Sequence, residues 1–73
     1  MITYAIGTYV VDTRSDTLGE LMANEGRNVL LRPPPGGREW ACPPEALRLA
    51  TAAERHEAGI PSGRTAARRT TTA

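Results

Sequence analysis

One thiol, one imidazole and eight side-chain carboxylates are the first groups in this 73-residue chain to weigh for proton-transfer or nucleophilic chemistry. A thiolate–imidazole pair would have to be Cys42 with His56, and it works only when the two meet by hydrogen bond in a protected cleft. Cys42 falls in "REWAC", which reads as a strand. His56 falls in "TAAERHEAG", beyond the last strand. The expectation is a packed thiol and an exposed imidazole. Asp12, Asp16, Glu20 and Glu25 lie on strands and turns and are expected to be solvated charges, not an acid–base pair. "PPPGG" is no phosphate loop, because it lacks both the backbone donors and the lysine of one. A structural zinc needs four Cys or His ligands, and this chain has one of each. No catalytic residue, metal or cofactor is therefore expected.

What remains are groups suited to binding. All nine basic residues are arginine, and a guanidinium grips carboxylates and phosphates through a planar fork. Residues 1–59 hold six arginines against eight acids, net −2, whereas residues 60–73 hold three arginines and no acid. A nucleic-acid-binding domain usually carries its basic face on the folded part; here only the tail is basic. Arg64, Arg68 and Arg69 are the candidate phosphate contacts. Tyr9, Leu30, Arg32, Arg38 and Trp40 are the candidate contacts for a protein partner. Trp40 has two readings, a ring in the core and a stacking platform on the surface.

The elements that must position these groups are short. "GTYVVDT" (7–13) is rich in β-branched and aromatic residues and reads as a strand. "RSDT" (14–17) is a turn. "LGELMAN" (18–24) alternates, with Leu18, Glu20 and Met22 on one face and Gly19, Leu21 and Ala23 on the other. Its good helix formers make helix the rival reading, but its shortness, Gly19 and the flanking turns favour strand. "NVLLR" (28–32) follows a turn at Gly26. Three prolines and two glycines then break the chain, and "REWAC" (38–42) runs back. Glu39 is costly to bury, so Trp40 and Cys42 take the inward face. "PPEAL" (43–47) suits one 3₁₀ turn and "LRLA" (47–50) a closing strand. The expected core is Val11, Leu18 or Leu21, Val29, Leu31, Trp40 and Leu47, with Leu30 outward. Thr51 and Glu54 form a capping box and Gly59 a C-terminal stop for a short helix over 51–59.

These segments predict an all-β protein: a small SH3-like barrel of four to five antiparallel strands over 1–51, a possible short helix over 52–59 and a disordered basic tail over 60–73. The order "G-x-Y-V-V-D", "L-G-E-L", "V-L-L-R", "E-W-x-x-P-P-E-x-L-R" resembles the rhythm of KOW, Tudor and other SH3-like modules. Residues 4–51 also resemble a group of short actinobacterial proteins that share a "GTYVVD" start, "LRPPGGGREW" and an "LRPAT" end. In this chain "LRPPPGGREW" and "LRLAT" stand in those places, with Pro35 and Leu49 as departures. The resemblance implies the barrel fold and carries no activity with it.

Three aromatics, Tyr4, Tyr9 and Trp40, are few for a proline-rich peptide groove or a methyl-lysine cage. The expected function is a non-catalytic interaction module that binds another protein in an accessory or regulatory role. The alternative is a KOW-like protein associated with nucleic acid or the transcription machinery, using the arginine-rich tail for weak phosphate contacts. No apolar stretch approaches the roughly 20 residues of a membrane helix and no signal peptide is apparent. A cytoplasmic protein with no membrane partner is expected.

Overall fold

The computed structural model describes residues 4–60. Of the tail expectation over 60–73, residues 61–73, with Arg64, Arg68 and Arg69, lie outside the described residues. Five strands and one short helix make up the rest: β1 (Tyr9–Asp12), β2 (Thr17–Glu25), β3 (Asn28–Arg32), β4 (Trp40–Cys42), a 3₁₀ turn at Pro44–Ala46, β5 (Leu47–Leu49) and α1 (Ala52–Glu57). All pairings are antiparallel, in the order β4-β3-β2-β1-β5. The protein is thus all-β and barrel-like; the described residues hold five strands, within the expected four to five, and a short helix inside the 52–59 span. Closure depends on β5 returning across the 3₁₀ turn to pair with the far side of β1.

Local chemistry accounts for each joint. Between β1 and β2, Asp16 takes φ +57°, a left-handed conformation that aspartate tolerates better than bulkier residues. The Ser15 amide donates to the Asp12 carbonyl at 3.2 Å. Gly26 at φ +64° makes the β2–β3 reversal. Pro33 follows β3, and Gly36 closes a turn by donating its amide to the Pro33 carbonyl at 2.8 Å. The expected strand 38–42 is shortened to Trp40–Cys42. The β3–β4 register pairs Leu31 with Trp40, so Arg38 would lie opposite Pro33, which has no amide to donate.

Register sorts the side chains onto two faces. Val10, Gly19, Leu21, Leu31 and Trp40 fall on the inner one, and with Val29 and Cys42 they make the core. The expected core is corrected at β1. Val10, not Val11, belongs to the core cluster. Val11 is buried on the opposite face, where it pairs with Leu18 and Arg48. Both valines lose water, so alternation alone could not set the phase. Leu21 is the buried leucine of β2 and Leu18 is half-buried. A register shift between Leu21 and Ala23 interrupts the alternation expected for 18–24, and bends β2 as it passes from β1 to β3.

Candidate functional site

The inward phase of β1 carries Asp12 into the interior, 1% exposed. This corrects the expectation of a solvated charge. A buried carboxylate is tolerable only when its oxygens are fully engaged, and here four donors converge on it. The Arg14 backbone amide and Nε reach Oδ1 at 3.0 and 3.1 Å. Arg14 Nη2 and Trp40 Nε1 each reach Oδ2 at 2.9 Å. The Arg14 guanidinium, first among these, holds the Asp12 carboxyl well below the usual carboxylate range; burial opposes it, and the Trp40 N–H adds to the lowering.

Trp40 reaches Asp12 from β4, three places away in the sheet. It does so by passing over Gly19. A Cβ added at Gly19 would lie 2.8 Å from Trp40 Cη2 and 3.1 Å from Leu31 Cβ. Only a residue without a side chain leaves room for the indole. Arg14 completes the closure by donating Nη2 to the Ala41 carbonyl at 3.1 Å. Thr13 fastens the neighbouring corner: its amide and its hydroxyl reach the Ala46 carbonyl at 2.8 and 2.7 Å. Asp12, Arg14, Gly19 and Trp40 therefore join the two sides of the sheet by side chains where no strand ladder joins β1 to β4.

Cys42 is buried beside this cluster and donates its thiol to the Pro43 carbonyl at 3.4 Å. Burial, foremost, and the neighbouring Asp12 charge push its pKa up to about 11. The thiol form is thus favoured, which suits packing better than attack. His56 is exposed on α1, and the two are not brought together. Among the described residues no three His, Cys, Asp or Glu side chains gather as a metal set.

The partner candidates separate. Tyr9, Leu30 and Arg32 share the outer face, where Tyr9 pairs with Glu20, Glu20 with Arg32, and Leu30 with Ala23 and Ala41. Tyr9 and Leu30 are half-buried and Arg32 is exposed. The Arg32 guanidinium lies 4.0 Å from Glu20. Arg38 is exposed in the loop before β4, and Trp40 is on the other face, half-buried. Of its two readings the indole follows the core one. Two large apolar side chains outside the partner candidates are exposed: Ile6 at 56% and Leu49 at 53%.

The helix is held as its sequence demands. The Glu54 amide donates to Thr51 Oγ1 at 3.1 Å and the Thr51 amide to Glu54 Oε1 at 2.8 Å, which is the expected capping box. Arg48 of β5 grips both oxygens of Glu54 at 2.9 and 2.6 Å. That guanidinium, followed by the Thr51 amide, draws the Glu54 pKa down to about 2.

The class that fold and site define is a small all-β, barrel-like protein closed by a buried aspartate, Asp12, held by Arg14 and Trp40. No family model matches the chain, and no curated protein or solved structure does either. Among the described residues no helix is long and apolar enough to cross a membrane.

Proposed function

We propose that this chain is a non-catalytic interaction module of SH3-like type that binds another protein through the outer face of its sheet. One observation carries the reading. Strand register puts Tyr9, Leu30 and Arg32 on that one face, with Leu30 and Arg32 neighbours on β3 and Tyr9 on β1 across Glu20 of β2, giving an aromatic, an aliphatic and a guanidinium group. These are the group types that anchor protein interfaces. The strongly shifted titratable groups, Asp12, Glu54 and Cys42, are engaged in closing the barrel, holding α1 to β5 and filling the core, so they support a structural role better than chemistry.

The test uses Leu30→Ser and Tyr9→Ser in the full chain. Their unfolding midpoints should stay close to wild type, while capture of the proteins held by the wild-type chain from its own cell extract falls at least tenfold. Unchanged capture by both variants would remove the outer face from the interaction. The nucleic-acid alternative predicts a different result: affinity for duplex DNA or RNA that falls steeply with salt and depends on Arg64, Arg68 and Arg69.

A further inference from the structure

A cavity of about 340 Å3 lies where α1 meets the outer face, lined by Val11, Asp16, Leu18, Glu54, Glu57 and Ala58. Val11 and Leu18 are directly paired across β1 and β2 and, with Ala58, give the cavity its apolar part. The other three lining residues are carboxylates. Glu54 is already engaged, with Arg48 on both oxygens and the Thr51 amide on one. Asp16 and Glu57 have no ion-pair partner within 4.0 Å among the described residues. The cavity thus combines apolar walls with two carboxylates that make no ion-pair contact among the described residues, Asp16 feeling the Arg48 guanidinium only at longer range. A guanidinium on a three-carbon stem has the matching chemistry, since the stem packs on apolar surface while the head meets carboxylates.

We propose that this cavity receives an arginine side chain from residues 61–73 of the same chain. Charge complementarity is the first support: that segment contains Arg64, Arg68 and Arg69 and no acid. Attachment is the second. Ala58 lines the cavity, and the segment begins three residues further on. From Ala58 to Arg64 the chain spans up to about 20 Å at roughly 3.3 Å per residue, enough to turn back into the cavity. Tethering at this length supplies an effective concentration on the order of millimolar, so a contact of millimolar strength is populated about half the time. Each arginine held there is withdrawn from phosphate, which sets this contact against nucleic-acid binding. The proposal is independent of the Tyr9–Leu30–Arg32 face and survives or fails without it.

Amide chemical shifts of the full chain test the contact. Wild type is compared with the triple variant R64Q/R68Q/R69Q and with Glu57→Gln as NaCl rises from about 0.1 to about 1 M, where the Debye length falls from about 10 to about 3 Å. The Val11, Leu18 and Ala58 amides of the wild type should move with salt. In the triple variant they should start at the high-salt position and stay there, and Glu57→Gln should fall between. A triple variant whose 4–60 amides superimpose on wild type at low salt, or respond equally to salt, overturns the proposal. Wild-type shifts that grow with protein concentration overturn it too, by assigning the arginine to a second copy.

Discussion

Replacing Asp12 by asparagine keeps the shape of the side chain and removes its charge, so it isolates what the buried carboxylate contributes. In the wild type, Oδ1 accepts two N–H groups of Arg14, and Oδ2 accepts one from Arg14 and one from Trp40. In Asp12→Asn one of these positions becomes an NH2 group, and two donors then face a donor. Hydrogen bonds to charged groups contribute about 1.5–3 kcal/mol each. The Arg14 side chain is 52% exposed and can turn part of its guanidinium to water. We expect a net loss of about 2–4 kcal/mol at neutral pH. At about 0.05–0.15 kcal/mol per residue, the 57 described residues hold about 3–9 kcal/mol, so the loss is a large share of the whole. Acid provides the control. The folded-state pKa of Asp12 lies below its ordinary 3.8, so its stabilisation is present above about pH 4 and is lost as pH falls toward the folded value. The gap between wild type and variant should therefore be full at pH 7 and shrink as pH falls below about 4. The Arg48–Glu54 pair also weakens in acid, but equally in both proteins. Trp40 is the only tryptophan, so urea unfolding followed by its fluorescence at pH 7 and at about pH 2.5 reads both quantities. A variant within about 0.5 kcal/mol of wild type at pH 7, or a gap independent of pH, would refute the argument.

Other substitutions probe the same closure from different sides. Gly19→Ala sets a methyl group 2.8 Å from Trp40 Cη2, and the overpacking should cost about 1–3 kcal/mol in thermal unfolding. Trp40→Phe keeps an aromatic ring above Gly19 but loses the donor to Asp12; about 1–3 kcal/mol should be lost by circular dichroism melting. Cys42, buried and with its pKa up at about 11, should react with a thiol reagent at pH 8 only as fast as the protein opens, and immediately in denaturant; rapid labelling of the native state would contradict its burial. Thr51→Ala removes the cap from α1, and the lost 1 kcal/mol or so should speed hydrogen exchange at the Ala58 amide about fivefold.

The strands were legible because their residues agree at every level. "NVLLR" has β-branched content, alternation and turn residues at both ends, and it is β3 residue for residue. The capping box was legible for the same reason, since Thr51 and Glu54 need only each other. Asp12 was not legible. Its neighbours Val10 and Val11 are both buried, so the pattern offered two phases, and the expected core with Val11 took the wrong one. The partners that reverse the cost of burying the carboxylate are Arg14, two residues away, and Trp40, 28 residues away. A local reading weighs the charge without its distant donor. A signal was present all the same, in the coincidence of a lone tryptophan with a glycine inside β2. A strand glycine marks the close approach of another group, and here that group is the indole.

The bond from Arg14 to the Ala41 carbonyl bears on how copies of this protein coexist in a crowded cell. β4 is a terminal strand of the sheet, and terminal strands are templates onto which foreign extended chains can polymerise. β4 has only three residues, and the carbonyl of the middle one is occupied by a charged side chain from its own barrel. An incoming strand would have to evict the guanidinium before it could add there. Arg14 thus obstructs the β4 edge while it fastens the barrel.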